Sequence, residues 1–575
     1  MSANRARVLM RLRESEAAMM RTAPFLLLLT GFTSAVAQER PLPPTRITLP
    51  SDTLAARRTP AKIDADSSRI ELPEVLVLGR DRSVRQVESK QRSGDDQPRL
   101  IQPEYLSLSI FGRRDNNRPL VNAAAAARER MYWAGAGAGT YSTLTANGGY
   151  SGTYPWGSTR LTGWFDRSNG AFHNSQHRDG GLTASATTPL RPALHGRAEA
   201  AADWLTRGLH GAALPHPTRS ARLTSLQGEA EFALDPASSA RAGLRLAGAG
   251  VSSDTSGREW RHTGDFTFSM HGDYQRQLEK LTLRASAAYQ RESLSPGADS
   301  LDGAAGFGRI RAEVQTSLLA PLQLTAAVGY ESCAGSRFAP ALRLAWLPND
   351  RWGLSLIAWA GLRYRSYSER LRENPYIAHA LPLAADDSPL SLQARADFRP
   401  AGRLLFQFGA YHGRFDRLHY WERDGATGLI GLQQARDVAL TEIQASAQIR
   451  FESGMTLQGE MQINSDHLQH PVSLGADDRI PYRPDFAARA AVSVPLPWQL
   501  ELTGRLEMAG ERRRGLDLEG RLPRYNLISA GLGRTFGRHL SAAVDLYNLL
   551  DSPYVIWEGY DEPGTRIMAQ IKYIY

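Results

Sequence analysis

Residues that could bind a metal ion or a phosphate group occur at two places in this 575-residue sequence. His467 and His470 form a His-x-x-His pair, but they fall in a predicted outer loop, where two histidines are more often solvated than metal-bound. Gly135–Thr140 reads GAGAGT and lacks the lysine and the following helix of a phosphate-binding loop. We therefore predict no metal-binding, cofactor-binding or catalytic residue.

Signatures of other enzymes and of nucleic-acid binding are also weak. The one cysteine, Cys333, cannot form a disulfide or a thiolate metal site within the chain. No Ser/His/Asp order and no pair of carboxylates stands out, so we expect no enzyme. The 68 Lys and Arg residues outnumber the 59 Asp and Glu residues, for a net charge of +9, but they are spread along the whole sequence. Nucleic acid is therefore not an expected partner, because its binding requires a clustered basic surface.

The N-terminus predicts export across a membrane. Arg21 precedes an apolar segment from Ala23 to Leu29, and Ala35 and Ala37 then form a small-x-small cleavage motif. The apolar segment is far shorter than the roughly 20 residues that cross a bilayer, which disfavours a membrane anchor. We predict a signal peptide over residues 1–37, cleaved after Ala37. The charged residues that precede it suggest a start codon assigned too early.

From Met131 onward, apolar and polar residues alternate in segments of roughly ten to fourteen residues, a pattern typical of β-strands. In a membrane barrel one face of each strand meets lipid and the other faces a polar lumen. Residues 281–290, 309–318, 455–464 and 500–508 show the alternation most clearly. Since no later segment approaches the length of a spanning apolar helix, an exported membrane protein with this sequence can cross lipid only as a barrel.

The spacing of the turns distinguishes a membrane barrel from a soluble sandwich or propeller, whose strands also alternate. Short links alternate with longer polar connections, such as residues 366–388 and 416–437. Outer-membrane barrels show the same alternation, between tight periplasmic turns and longer outer loops. The short links are residues 154–157, 189–196, 234–239, 276–280, 319–322, 347–351, 399–403, 452–454, 495–498 and 535–539. Ten turns and two terminal strands predict an all-β transmembrane antiparallel barrel of about 22 strands, formed by residues 131–575. Trp156, Trp346, Trp352 and Trp498 lie at or beside these turns, where an aromatic girdle is expected.

Residues 38–130 are rich in polar and charged side chains, so we predict a mostly irregular segment in the periplasm or in the barrel lumen. The strand positions predicted to face the lumen are Arg245, Arg284, Arg309, Arg311, Arg395, Arg450, Arg489 and Arg505, with Glu313, Asp397, Glu442, Glu460, Glu501 and Glu507. The excess of arginine predicts a leaky channel with a weak preference for anions. Its conductance is expected to rise when residues 38–125 are deleted, because they are the candidate lumen filler.

The last strands resemble the C-terminal end of TonB-dependent receptors. In that family a strand ends in an Asn-Leu-hydrophobic-Asp turn, a Tyr follows, and a Pro-Gly pair opens the final strand. The corresponding residues are Asn548, Leu549, Leu550, Asp551, Tyr554, Pro563 and Gly564. Ile480–Phe486 is similar to the proline-marked start of a late strand in the family. The resemblance implies that Ile571, Tyr573 and Tyr575 form the terminal signal read by the barrel-assembly machinery of the outer membrane.

Near the N-terminus, Glu74, Val75, Leu76, Val77 and Leu78 resemble the TonB box of these receptors. An extended run of this kind can add a strand to a partner's sheet, so TonB is an implied partner; a plain linker or the edge of a domain is the alternative. The family also has a folded plug domain between the box and the barrel. Residues 81–130 are too few for that domain and lack its Pro-Gly and Arg-Gly motifs, which predicts that the plug is absent.

Two functions follow from these features. The first is a transport or permeation barrel in the outer membrane, resembling a TonB-dependent receptor without its plug, with outer-membrane lipid and an unidentified solute as partners. The alternative is a barrel that transports nothing and acts as an adhesin or scaffold through its outer loops. Solute flux into liposomes would distinguish the pore from the closed barrel.

Overall fold

The part of the chain that the structure describes is mainly β-strand. A computed structural model describes residues 130–575, except residues 192, 214–216, 256–257, 297–302, 320, 350, 380, 402, 469–478 and 517–519. The predicted signal peptide with Ala35 and Ala37, the TonB-box-like run Glu74–Leu78 and the rest of residues 38–129 lie outside the described residues.

Twenty-nine strands follow one another along the described chain. The first fourteen are β1 (Arg130–Gly139), β2 (Thr143–Tyr154), β3 (Gly157–Ser168), β4 (His177–Arg191), β5 (Leu194–Gly208), β6 (Pro217–Asp235), β7 (Ser238–Thr255), β8 (Arg258–Gln277), β9 (Leu281–Pro296), β10 (Gly303–Leu319), β11 (Leu322–Ser332), β12 (Ser336–Phe338), β13 (Ala341–Asn349) and β14 (Trp352–Arg363). The others are β15 (Asp386–Ala401), β16 (Leu404–Phe415), β17 (Leu418–Arg423), β18 (Ile430–Ala435), β19 (Val438–Arg450), β20 (Thr456–Leu468), β21 (Phe486–Leu496), β22 (Leu500–Ala509), β23 (Arg512–Arg513), β24 (Arg521–Leu522), β25 (Tyr525–Phe536), β26 (Leu540–Tyr547), β27 (Tyr554–Trp557), β28 (Tyr560–Glu562) and β29 (Arg566–Ile574). A short helix, α1 (Tyr367–Glu373), follows β14, and a single 3-10 turn (Pro497–Gln499) precedes β22.

Twenty-two of these strands close into one antiparallel barrel, which confirms the predicted fold. β12 continues the line of β13 because both pair with β11, and β17–β18, β23–β24 and β27–β28 are hairpins within outer connections. The ring closes where β1 pairs with β29, from Trp133 opposite Ile574 to Gly139 opposite Met568. Closure removes the open strand edges, whose unpaired backbone groups would be costly in lipid.

The two faces of the strands follow the predicted alternation. On β10, Ile310 and Val314 are 67% and 42% exposed, whereas Glu313 and Gln315 are 9% and 8% exposed. Exposed apolar side chains recur on the same face of the neighbouring strands, so a continuous apolar belt surrounds the barrel. Among the described residues, no helix has the length and apolarity needed to cross a bilayer.

All ten predicted short links join neighbouring strands at the same end of the barrel. Trp156, Trp346, Trp352 and Trp498 are exposed at these turns, as expected for an aromatic girdle. The long connections lie at the other end, where β1–β2 and β7–β8 are nevertheless joined by short ones. β6, β7 and β8 extend for 19, 18 and 20 residues. Strands of this length exceed the ~9–11 residues that cross the membrane and therefore rise above it on the outer side.

The first hairpin provides a test of the packing inside the barrel. The indole of Trp133 on β1 lies over Gly149 on β2, which is directly opposite it in register. A Cβ atom on Gly149 would overlap that indole and the carbonyl oxygen of Leu161. We expect Gly149→Leu to lower the free energy of unfolding by about 1–3 kcal/mol, the usual cost of overpacking. The unfolding temperature in detergent, followed by heat-modifiable migration on a gel, measures the effect.

Gly228→Leu is the matched control for this substitution. A Cβ atom on Gly228 meets no atom within 4 Å, and the residue is exposed on β6. We therefore expect its unfolding temperature to stay near that of the unmodified protein. Equal losses in both variants would contradict the close packing of Trp133 on Gly149.

Candidate functional site

The long outer connections fold inward and meet over the mouth of the barrel. We call the described parts of residues 209–213, 364–385, 416–437, 479–485, 510–524 and 548–565 the cap. One apolar core joins the cap to the inner faces of three strands; it contains Leu209, Ala221, Leu223, Ala249, Val251, Leu294, Tyr367, Leu371, Ile377, Leu381, Trp421, Leu429, Ile430, Tyr482, Leu522, Trp557 and Tyr560. Because the 209–213 and 416–437 connections start from nearly opposite sides of the ring, their shared core spans the outer mouth of the barrel.

Hydrogen bonds to main-chain carbonyl oxygens hold these opposite connections together. The amide of Ala213 donates to the carbonyl oxygen of Thr427 at 3.0 Å, and the guanidinium of Arg423 donates to the carbonyl oxygen of Gly211 at 2.8 Å. Gly428 has a φ of +70°, a conformation that glycine adopts without strain, and lies against Gly211. The contact across the mouth thus depends on main-chain groups as well as on apolar side chains.

Aromatic rings fill the centre of the cap. Tyr376 stacks on Tyr560 with ring centroids 3.8 Å apart, and Trp557 packs against Trp421 at 6.2 Å and Tyr482 at 5.1 Å. The Tyr560 hydroxyl donates to the carbonyl oxygen of Gly428 at 3.2 Å. Burial raises the pKa of Tyr560 and of Tyr482, so both phenols stay neutral.

Helix α1 is fastened to the barrel wall by a buried carboxylate. Ser366 caps the helix and forms a capping box with Glu369. Glu292 on β9 is fully buried and accepts hydrogen bonds from the Tyr364 hydroxyl and, at 2.6 Å, from the Tyr367 amide. Burial raises the pKa of Tyr367 to about 12. These bonds fix the start of the 364–385 connection on the inner wall.

A buried arginine fastens the following part of the same connection. Arg219 on β6 is 3% exposed and donates to the carbonyl oxygens of Pro375 and Ile377 at 2.9 and 2.6 Å. The ring of His379 lies between the hydroxyls of Ser253 and Thr263, at 2.8 and 2.9 Å. The connection is therefore held by three neighbouring strands, β6, β7 and β8.

A second buried arginine fastens the opposite side of the cap. Arg483 contacts Glu442 at 3.2 Å and Asp466 at 3.3 Å, and all three side chains are at least nine-tenths buried. It also donates to the amide oxygen of Asn464 at 2.9 Å. One guanidinium thus neutralises two carboxylates from β19 and β20 and orders the segment that leads into β21.

Removing this arginine should loosen that side of the cap. Arg483→Met leaves Glu442 and Asp466 buried without their cation, and breaking such a pair typically costs about 3–5 kcal/mol. We expect faster amide exchange in residues 479–485 and 416–437, with little change in the wall strands far from the cap. Hydrogen exchange measured by mass spectrometry tests this. Adding Glu442→Gln and Asp466→Asn should restore most of the protection; a triple variant as labile as the single one would contradict the electrostatic explanation.

Two clefts run beside the cap. The larger holds about 830 Å³ of space open to solvent, and its walls combine Asp166, Asp561, Glu562, His177 and Arg566 with the rings of Tyr141, Phe172, Tyr376 and Tyr547. The smaller is lined by Arg365, Arg370, Arg483, Asp386, His419 and apolar side chains that include Trp421. Such walls offer hydrogen bonds and ring contacts to a small solute. No group of three metal-ligating side chains occurs among the residues that the structure describes.

The residues predicted to face the lumen lie on strand faces opposite the apolar belt. Arg284 and Arg311 both approach Glu313 at 3.8 Å, Arg395 contacts Asp397 at 3.0 Å, and Arg489 lies 4.0 Å from Glu507. Much of the arginine charge is thereby balanced by acids on the same wall. The weak preference for anions stays a prediction.

The family-like C-terminal residues build the connection between β26 and β29. The side chain of Asn548 bonds to Ser552 in both directions, at 2.9 and 3.1 Å, and Asp551 accepts from the amide of Thr565 at 2.8 Å. A Cβ atom on Gly564 would overlap the Asp551 carboxylate, which explains glycine there. Ile571, Tyr573 and Tyr575 all point outward on or beside β29, and their role in assembly stays a prediction.

Sequence reasoning missed Arg219, Glu292 and His379. Arg219 and Glu292 look like ordinary lumen-facing residues at the outer ends of strands, and His379 lies in a long loop without a motif. Arg483 lies within the Ile480–Phe486 motif, but the motif alone does not reveal its two carboxylate partners. These contacts join residues far apart in the sequence, which no local pattern encodes.

No protein-family model matches the sequence, and no curated protein is significantly similar to it. Solved structures with the same fold include the FrpB iron transporter of Neisseria meningitidis, with a TM-score of 0.64 and 11% identity over 78% of this chain and 82% of that one. The ferric-catecholate import receptor Fiu of E. coli K12 has a TM-score of 0.62 and 10% identity, over 78% of this chain and 82% of that one. The siderophore receptor PirA of Pseudomonas aeruginosa has a TM-score of 0.58 and 12% identity, over 80% of this chain and 81% of that one. These neighbours are TonB-dependent receptors of the outer membrane, and the chain has their 22-stranded barrel fold.

Proposed function

We propose that the protein imports a small solute across the outer membrane, through a barrel whose outer mouth is closed by the cap when no solute is bound. The observation that carries the proposal is the single apolar core that joins connections from opposite sides of the ring. An import barrel needs a barrier somewhere along its path, since an open lumen of about 22 strands would be a wide aqueous pore. The cap supplies one on the outer side.

The two clefts beside the cap support a role in solute capture. Each combines aromatic surface with charged groups that are held in place by neighbouring connections. A solute that binds there touches several cap segments at once, so its binding energy can favour one arrangement of the cap over another. The first solutes to test are chelated metal ions, because the structural neighbours include ferric-catecholate, siderophore and iron transport proteins.

The inner half of the transport path involves residues 38–130. In our proposal this segment occupies the lumen in place of a plug domain, and Glu74–Leu78 couples it to TonB. The inward folding of the long connections favours transport over an adhesin, whose loops must project outward to reach a partner. We propose no enzymatic step.

Uptake in cells tests this function. Cells that express the chain and lack their other ferric-chelate receptors should accumulate labelled ferric chelates, and dissipating the proton gradient should stop this. Deleting residues 74–78 should abolish uptake without lowering the amount of barrel in the membrane. Uptake that survives both treatments would contradict TonB coupling and indicate passive permeation. The absence of flux for every solute, in cells and in liposomes, would favour the scaffold function.

A further inference from the structure

Three arginines form a cluster on the lipid-facing side of the barrel wall. Arg167 on β3, Arg178 on β4 and Arg222 on β6 are exposed, while the next residue in the chain is buried in each case: Ser168, Asp179 and Leu223. Because side chains alternate between the two faces of a strand, all three guanidiniums point outward. They are separate from the lumen and from the cap.

The cluster lies at the outer edge of the apolar belt. The lower rim of these strands is marked by the exposed side chains of Trp156, Leu190 and Leu234. The arginines stand 11 or 12 residues beyond these markers along their strands. A tilted strand crosses the hydrocarbon layer in about 9–11 residues, so the guanidiniums reach the level of the outer lipid headgroups.

The strand register brings the charges together. Arg167 is directly opposite Arg178 in the β3–β4 pair, an arrangement in which two like charges repel each other. The Arg178 guanidinium lies over the ring of Phe165 at 5.7 Å. Arg222 is directly opposite Trp204, whose indole covers Gly180 on β4. Two aromatic rings therefore form an apolar shelf beneath and between the three cations.

No acidic side chain balances these charges on the outer face. Among the described outward positions of β2 to β7, the only acid is Asp254, opposite Thr218 and four residues beyond Arg222 towards the outside. Asp166, Asp179 and Asp203 lie on the same strands but face the lumen, where Asp179 pairs with Arg207 and Asp203 with Arg372. This part of the outer face thus carries three cations with no acid directly opposite them in the strand register.

We infer that Arg167, Arg178 and Arg222 form a binding site for a phosphorylated lipid headgroup of the outer leaflet. Guanidinium groups bind phosphate oxygens through paired hydrogen bonds, and the mutual repulsion of Arg167 and Arg178 is relieved when an anion lies between them. The acyl chains of the same lipid would pack below, on Phe165 and Leu161, which is 51% exposed. The inference depends on membrane insertion of the barrel and not on solute transport.

Binding of purified lipids to the detergent-solubilised protein, measured by native mass spectrometry, tests the site. The probes are diphosphoryl lipid A, the same lipid after removal of its phosphates, and inorganic phosphate. The unmodified protein should bind diphosphoryl lipid A and should not retain the other two. Since each basic residue near a membrane surface contributes about 1 kcal/mol, Arg167→Gln/Arg178→Gln/Arg222→Gln should weaken binding roughly a hundredfold.

Arg291→Gln is the matched control. Arg291 is an exposed, outward-facing arginine near the same level on β9, but it is opposite Phe268 and Gly306 instead of another arginine. Lipid affinity should be unchanged in this variant, and replacing the three cluster arginines by lysine should restore part of the loss. Heat-modifiable migration establishes that each variant is folded. Equal affinity of the triple glutamine variant, equal binding of the dephosphorylated lipid, or an equal loss in Arg291→Gln would overturn the inference.

Discussion

Deletion of Tyr573, Ile574 and Tyr575 should abolish accumulation of the barrel in the outer membrane while leaving export across the inner membrane intact. The amides of Tyr132 and Tyr575 each donate to the other residue's carbonyl oxygen, at 2.9 and 2.8 Å, and the Ile574 amide donates to His539 at 2.8 Å. The deletion removes the two Tyr132–Tyr575 bonds from the closing seam between β1 and β29, and the Ile574–His539 bond from the other edge of β29, beside β26. It also removes two aromatic side chains of the predicted signal for the assembly machinery. Unpaired strand edges in lipid cost several kcal/mol per group, so a barrel that cannot close should be degraded.

Cell fractionation and a protease-protection assay measure this outcome. A Tyr573→Phe/Tyr575→Phe variant keeps both aromatic rings and every backbone bond, and it should assemble normally. Processing of the signal peptide in the deletion variant would demonstrate that export is unaffected. Normal outer-membrane levels of the truncated chain would refute the role of the terminus.

Opening the outer mouth should raise conductance sharply only when the lumen is cleared as well. Arg363 and Asp386 are directly opposite in the β14–β15 pair, so a two-residue Asn-Gly turn can replace residues 364–385 without disturbing the strands. That replacement removes Tyr367, Leu371, Ile377 and Leu381 from the cap core. If the cap and residues 38–125 are barriers in series, removing either one should give small currents, and removing both should give a wide, stable pore. Planar-bilayer recordings test this on four proteins: the unmodified chain, the chain with the shortened 364–385 connection, the chain without residues 38–125, and the chain with both changes.

Residues 169–176 provide the matched control for the shortened connection. Ser168 and His177 are paired at the ends of β3 and β4, so the same Asn-Gly turn fits there, and the replaced residues contribute nothing to the cap core. When residues 38–125 are present, this variant should conduct like the unmodified protein. When they are deleted, it should conduct like the protein that lacks residues 38–125 alone. A large pore after deletion of residues 38–125 alone would contradict closure by the cap. The reversal potential of the open pore under a salt gradient tests the predicted preference for anions.

The two barriers also define what solute capture must accomplish. Arg219, Glu292 and Arg483 are buried and hold the cap through bonds to main-chain groups or carboxylates, so disrupting any one of them leaves buried polar groups without partners. A solute that binds in the clefts must compensate for such losses if it is to move the cap. This requirement favours solutes that make many polar contacts at once, and it explains why the clefts carry charged groups from several connections.

The sequence by itself determined the wall of the barrel. Lipid on one side and a polar lumen on the other impose a period of two on every strand, and this period is visible in segments such as residues 455–464. Backbone pairing in lipid must be complete, which restricts an exported β-rich chain to a closed ring and makes the number of tight turns a measure of the number of strands. The ten short links therefore sufficed to predict 22 strands, and the motif around Asn548 and Asp551 pointed to the type of barrel.

Only the tertiary structure decided what lies over the mouth and on the outer rim. The cap core unites Leu209 with Ile430, and Arg219 binds the main chain at Ile377, across sequence distances that no local period spans. The arginine cluster likewise arises from strand register, which places Arg167 opposite Arg178 and leaves Asp166 and Asp179 on the other face. A periodic pattern specifies which way a side chain points, because the pleat alternates at every residue. It does not specify which distant side chains become neighbours, since that depends on how the whole ring closes and how its connections fold back.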